Sequence, residues 1–366
     1  MNDVIDLENW RVLVKMFPEN WKELAKSTRA MTRKFRNFEN EEMVMRALLV
    51  HIAGGYSLRE TVTRLKFAKI ADISDVALLK RLQCSEIWLK ELCLSLFQEN
   101  GVSCMPENSK IRMRLVDGTN VKEPGKTGSL WRIHYSMTLP DLKCDYFKLT
   151  SAKGKTTGES FKQFSIHEGD CIIGDRGYST SQGISHIVSK RGHVLVRVNT
   201  SALNFLNLDT SKFNLLKMVK SIEQEGLSKE SNVILMSENE LIPGRICVIR
   251  KSRVATELTL QKLKLGETKR GTNLKPETIE FAKYVILFTT LPDSEYPLKT
   301  ILEWYRYRWQ IELAFKRLKS LIGLGHLPKH DETSARAWLY GKLFTGLLVE
   351  KLIRAAKNIS PWGYVE

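Results

Sequence analysis

Cysteine is scarce in this chain and follows no pattern. The six residues (Cys84, Cys93, Cys104, Cys144, Cys171 and Cys247) are scattered, with no CxxC pair. That excludes a disulfide framework and a cysteine-built zinc site, and points to reduced thiols in a cytoplasmic protein. Long apolar runs are missing as well: none approaches the roughly 18 residues that a membrane span needs. The acidic start Met1-Asn2-Asp3 does not read as a signal peptide. There is neither an internal repeat nor a low-complexity tract. Positive charge, by contrast, is abundant: 57 Lys and Arg against 41 Asp and Glu, a formal net charge of +16 over 366 residues. Such a chain suits a polyanion, with a basic enzyme that touches no nucleic acid as the alternative on charge alone. The length allows two or three domains with substantial cores.

Residues 8–100 read as all-helical. Glu39-Asn40-Glu41-Glu42 opens a helix that runs to Gly54-Gly55, where two glycines mark a C-cap and turn. Ser57-Leu58-Arg59-Glu60 then has capping-box spacing. Helix, glycine turn and capped helix give the outline of a helix-turn-helix, or equally of an ordinary helical bundle. Ser74 and Ser85 are placed to cap two further helices, the last ending at Asn100-Gly101. Lys26, Arg29, Arg33, Lys34 and Arg36, with Phe35 and Phe38 among them, form a basic stretch suited to DNA or to a solvated face.

After Gly101 the periodicity changes to two. Ile111, Met113 and Leu115 alternate with arginines and lead to Val116-Asp117-Gly118. Trp131 to Thr138 alternates in the same way, and Cys144 to Leu149 follows a Pro140-Asp141 turn, so three antiparallel strands are expected. A short helical stretch near Glu159 to Phe164, a buried strand Cys171 to Asp175, a helix Gln182 to Lys190 and a strand His193 to Val198 complete a β-β-β-α-β-α-β series. Residues 200–292 read as a β-rich insertion, with strand-like runs at Val233 to Met236, Arg245 to Arg250, Val254 to Leu260 and Tyr284 to Phe288. Helices return with Leu298 to Leu321 and Ser334 to Lys357.

The chemistry concentrates at three acids. Asp117 and Asp175 each follow an apolar strand, where a sheet presents side chains to a cleft. Glu312 lies on the later helix, on a stripe with Tyr305, Arg308 and Lys319 that spans about 60° at 100° per residue. Three carboxylates on rigid elements are what a paired-Mg²⁺ site for in-line displacement at phosphorus needs. Each acid also has an ordinary reading. Asp117-Gly118 can be a turn, Asp175-Arg176 a surface ion pair, and Glu312 a partner of Arg308 or Lys316. Asp145, Asp170 and Glu303 fit the site less well by position.

At these residues the chain resembles the insertion-sequence-4 (IS4-like) family of bacterial DDE transposases. Its Tyr-x2-Arg-x3-Glu-x6-Lys signature is matched by Tyr305, Arg308, Glu312 and Lys319. Val116-Asp117-Gly118-Thr119 resembles the first-Asp motif and Gly174-Asp175-Arg176-Gly177-Tyr178 the second; the stretch Leu48 to Leu82 is similar too. The resemblance implies an α+β fold, an RNase H-like mixed sheet flanked by helices, with an N-terminal all-helical DNA-binding domain and a β-rich insertion. The expected division is a helical DNA-binding domain over 1–105, the first part of the catalytic domain over 106–200, the insertion over 201–292, and the second part with the C-terminal helix over 293–366.

The resemblance further implies an insertion-sequence DNA transposase that binds transposon ends and performs metal-dependent strand cleavage and transfer. Asp117, Asp175 and Glu312 would bind Mg²⁺, with Mn²⁺ able to substitute. Tyr305, Arg308 and Lys319 would grip DNA. Double-stranded inverted-repeat ends and target DNA are the expected partners, with a homodimer in a synaptic complex at the bacterial nucleoid. An aromatic of the insertion, with Tyr284 the candidate, would stack on an extruded base. Relatives of this kind commonly run further than Pro361-Trp362-Gly363-Tyr364-Val365-Glu366, and a shortened end could remove a dimerisation or end-binding segment. Two rival readings are a catalytically inactive or truncated DNA-binding inhibitor of transposition and an RNase H-like nuclease without strand transfer.

Overall fold

Polar caps start the N-terminal helices where the sequence places them. The computed structural model describes residues 10–31, 38–99, 111–122, 129–139, 143–152, 158–238, 240–271, 273–321, 323–324, 327–328 and 331–357. The basic run 33–37, Asn100-Gly101, the Pro140-Asp141 turn and Pro361 to Glu366 lie outside these residues. After a helical turn at 10–14 come α1 (Trp21–Ser27), α2 (Glu41–Gly54), α3 (Leu58–Phe67), α4 (Asp75–Cys84) and α5 (Glu86–Glu99). Asn40, Ser57 and Ser74 accept from the backbone N–H of Met43, Glu60 and Ala77. Gly55, at φ +68°, ends α2 in the left-handed conformation that a glycine tolerates. Only half of the expected capping box forms, because the Glu60 carboxylate turns to Arg64. Ser85 closes α4 as its C-cap, its backbone N–H donating to the Leu82 carbonyl, and its hydroxyl donates back to the Arg81 carbonyl in place of a cap on α5.

Among the described residues the sheet holds nine strands in the order β3-β2-β1-β4-β5-β9-β8-β7-β6. β1 (Arg112–Lys122), β2 (Ser129–Thr138) and β3 (Lys143–Ser151) form an antiparallel meander. β4 (Asp170–Gly174) and β5 (His193–Arg197) add in parallel on the other side of β1, with α6 (Ser181–Ser189) crossing between them. Residues 201–292 continue this sheet. β6 (Phe205–Leu206), α7 (Leu215–Lys220), β7 (Ser228–Met236), β8 (Leu241–Arg250), α8 (Arg253–Arg270), α9 (Pro276–Phe281) and β9 (Tyr284–Thr289) follow, and β9 pairs antiparallel with β5. The strand expected over Val254 to Leu260 is instead the start of α8. Ser252 caps it through the Ala255 N–H, and the following Leu, Lys and Glu residues are good helix formers that outweigh a short alternation.

Alternation along the strands divides two cores. In β4, Cys171 and Ile173 join the core beneath the N-terminal and C-terminal helices, while Ile172 joins the opposite one with Ile184, Ile187 and Val196. The helix expected over Leu298 to Leu321 is two helices, α10 (Leu298–Arg306) and α11 (Trp309–Leu321). At the joint, Tyr307 and Arg308 bond three residues back to Trp304 and Tyr305, the tighter 3₁₀ pattern. Four aromatics in six residues, Trp304 to Trp309, favour a helix poorly. Ile311, Ala314, Phe315 and Leu318 lay α11 on the sheet, where the Phe315 ring meets Tyr135 at 5.5 Å.

The last helix, α12 (Glu332–Lys357), returns to the N-terminal helices. Trp338 meets His51, Phe344 meets Phe17, and Arg336 pairs with Glu86 at 2.7 Å. Gly341 lets α12 approach so closely that any Cβ there would overlap Ile52 Cδ1. The helical layer therefore draws on both ends of the chain. Among the described residues no helix is long and apolar enough to cross a membrane.

Candidate active site

Parallel pairing of β1 with β4 sets Leu115 opposite Ile173. Asp117 lies two residues beyond that pair on β1, and Asp175 two residues beyond it, just past the end of β4. Adjacent strands lie about 4.8 Å apart, so the pair of carboxylates follows from the backbone alone. Asp117 does not end its strand as expected: β1 runs on to Lys122, paired beyond this point with β2 only. Asp175 caps the 3₁₀ turn Arg176–Tyr178, its Oδ1 accepting from the Gly177 N–H at 2.6 Å. Asp117 Oδ1 accepts from the Gly118 N–H at 2.7 Å.

A third acid stands here that the sequence reading passed over as the start of a short helical stretch. A Cβ on Gly177 would overlap Glu159 Oε2 and come within 3.2 Å of Asp175 Oδ1, so Glu159 and Asp175 face each other across the glycine. Burial pushes the Asp117 carboxyl up to about 7, and the negative charges of Asp175 and Glu159 push the same way; the Gly118 N–H and Arg308 oppose them. Glu159 is also raised, by burial and then by Asp175. These acids lack enough positive charge around them.

Arg308, at the joint between α10 and α11, is the cation on the other side. It pairs with Glu312 at 2.7 Å and lies within electrostatic reach of Asp175 and Asp117. Tyr305 is pushed up to about 12, chiefly by burial, with Arg308 and Arg197 pulling against it. The structure thus gathers Asp117, Asp175, Tyr305 and Arg308, and ties Glu312 to them through Arg308. Lys319 is exposed seven residues further along α11, about 10 Å at 1.5 Å per residue. Among the described residues no three carboxylate, imidazole or thiol groups are drawn together closely enough to hold an ion. The fit to a metal is therefore partial: Asp117 and Asp175 offer oxygen ligands, and Glu312 is engaged by Arg308.

Two of the acids set aside by position, Asp170 and Asp145, have structural partners. Asp170 holds Arg112 at 2.6 Å and Arg114 at 2.9 Å, and Asp145 holds Arg114 at 2.7 Å. Arg197, also unremarked in the sequence, joins Arg176, Thr200, Thr259 and Tyr284 around a pocket between the sheet and helices α8 and α9. Tyr284 is only 2% exposed and packs in the core, with Arg250 over its ring, as an alternating strand residue usually does.

Three comparisons bear on this geometry. The family described as Transposase DDE domain matches residues 145–348. That span takes in Glu159, Asp175, Arg308 and Glu312; Asp117 lies upstream of it. The transposase for insertion sequence element IS421 of Escherichia coli is 28% identical over 363 residues, covering 97% of this chain and 96% of that protein. A further C-terminal segment is thus not general among relatives. The transposase for insertion sequence element IS231B of Bacillus thuringiensis subsp. berliner is 20% identical over 287 residues, covering 71% of this chain and 59% of its own. Among solved structures, a piggyBac transposase synaptic complex with hairpin DNA aligns with a TM-score of 0.47 and 8% identity, covering 94% of this chain and 73% of that one. Since the matched family spans more than half of the 366 residues, the chain belongs to the DDE-domain transposases.

Proposed function

We propose that the protein is the DNA transposase of an insertion sequence, binding the ends of its element and catalysing strand cleavage and strand transfer. The observation that carries this reading is the pair Asp117 on β1 and Asp175 just past the end of the adjacent parallel strand β4, with Asp117 raised by burial and by the charge of Asp175, and with Arg308 beside them. The half-sheet order β3-β2-β1-β4-β5, an antiparallel meander followed by parallel strands, supports an RNase H-like catalytic domain. The helices α2 to α4 and the net charge of +16 support DNA recognition by the N-terminal part.

Asp117, Asp175 and, once released from Arg308, Glu312 would hold divalent ions, Mg²⁺ with Mn²⁺ as a substitute. When bound, such ions supply Lewis acidity at phosphorus and acidify the attacking water. Arg308 and Lys319 would bind backbone phosphates, and Tyr305 would help position the cleaved end. A DNA phosphate competing for Arg308 would free Glu312, so that end binding and completion of the acid set go together. Pairing of two ends favours a homodimer.

The test is cleavage of DNA carrying the inverted repeats that flank the gene. Ala at Asp117, Asp175 or Glu312 should abolish cleavage while end binding persists, and full cleavage by any of the three variants removes that residue from the site. End binding without nicking by the wild type would identify an inhibitor of transposition; nicking without joining to target DNA would identify a nuclease.

A further inference from the structure

One polar group in this site has nothing to bond to. Tyr178 is fully buried, and its hydroxyl has no hydrogen-bond partner among the described residues. It points at the acids: it lies 3.2 Å from where a Cβ on Gly118 would sit, and Glu159 Cγ is 3.8 Å from the same point. Asp117, Glu159 and Asp175 all oppose its ionisation, adding to the effect of burial, so it remains a protonated donor among acceptors. An unpaired buried hydroxyl is destabilising, because it has lost water and gained no partner. Packing does not call for it. The ring contacts Phe161 and Phe164, and a phenylalanine ring would make the same contacts. Glu159, though exposed, places like charge against Asp175 with Gly177 between them. Side chains are missing at Gly118 and Gly177, the two positions where a Cβ would crowd this space.

We propose that Glu159 and the Tyr178 hydroxyl are positioning residues that take the water shell of a divalent cation held by Asp117 and Asp175. The inference rests on the reading of the two aspartates given above. A small hard cation is commonly bound by one or two carboxylates and keeps several waters, whose protons point outward. Glu159 accepts from such a water. The phenol oxygen of Tyr178 accepts from another and donates its own O–H to a carboxylate or phosphate oxygen, which satisfies the group left unpaired without the ion. Arg132 lies on the same side and tempers the charge of Glu159.

The test is Mn²⁺ binding to the full-length chain without DNA, read from the paramagnetic resonance of the free ion, alongside thermal unfolding in EDTA. Tyr178→Phe and Glu159→Gln should each weaken Mn²⁺ binding about tenfold, the usual effect of removing an outer-shell partner. Tyr178→Phe should unfold at the same temperature as the wild type or higher, because an unpaired hydroxyl has gone. Unchanged Mn²⁺ affinity in either variant overturns the role of that residue, and Glu159→Gln carries the test if Tyr178→Phe fails to fold. Asp175→Asn tests the underlying reading separately: wild-type affinity there overturns the assignment of the aspartates, whatever the other variants do.

Discussion

Arg308 holds Glu312 at 2.7 Å across one helical turn, while the same guanidinium lies within electrostatic reach of Asp175 and Asp117. One cation therefore serves carboxylates from β1, the end of β4 and α11, and Glu312 is not free to take another while Arg308 keeps it. Arg308→Ala should release Glu312 and remove a competing positive charge. Mn²⁺ affinity without DNA should then rise about two- to fivefold, the weight of a partly exposed ion pair, while affinity for transposon ends falls. A loss of Mn²⁺ affinity would contradict this arrangement.

The raised Asp117 carboxyl gives the metal-free protein a defined pH dependence. Its folded value of about 7 lies above the unfolded value near 3.8, so the folded state binds the proton more tightly. Stability is then greatest at the acid end and declines as pH rises from about 4 to about 7. Asp117→Asn should remove that decline, leaving the variant more stable than wild type at pH 8 in EDTA by on the order of 2 kcal/mol, with little difference at pH 4. Unfolding temperatures measured across this range decide it; parallel curves would count against it. Divalent-ion affinity should rise with pH through about 7, because the ion and the proton compete for Asp117.

Lys319 and the acids should separate in their effects. Lys319→Ala should weaken binding to transposon ends across sequences and reduce the slope of log affinity against log salt by about 0.9, one phosphate contact. Filter binding over a salt series measures this, and an unchanged slope would remove Lys319 from the DNA contacts.

The return of α12 into the N-terminal helices predicts a penalty at Gly341, where any Cβ would overlap Ile52. Gly341→Val should cost about 1–3 kcal/mol through overpacking, measured by urea unfolding. A variant as stable as wild type would show that α12 is not seated there.

Much of this was legible in the sequence for local reasons. The caps at Asn40, Ser57 and Ser74 and the period-two runs of β1 to β3 depend on neighbouring residues, and the strand–helix alternation after Gly101 appears almost as read. Asp117 and Asp175 stand out in the sequence because each comes directly after a run of apolar residues, although β1 continues past Asp117 to Lys122. Other features depend on distant contacts. Nothing near Glu159 in the chain reveals that it faces Asp175 across Gly177. Pairing of β9 with β5, which carries the insertion into the main sheet, is decided by tertiary packing. The helix break at Tyr307 and Arg308 left only a faint signal, a cluster of aromatics inside an otherwise helical pattern, and it puts Tyr305 and Glu312 on separate helices. Their signature spacing survives the break because the chain there is still coiled, only more tightly.

The central claim is that Asp117 and Asp175 bind the cation used for strand cleavage, and its most direct test is a change of ligand hardness. In Asp175→Cys the oxygen ligand becomes a thiolate, which suits Mn²⁺ better than Mg²⁺. The account predicts that this variant cleaves transposon-end DNA in Mn²⁺ but not in Mg²⁺, whereas the wild type cleaves in both. Equal cleavage by the variant in the two ions would show that Asp175 does not touch the metal.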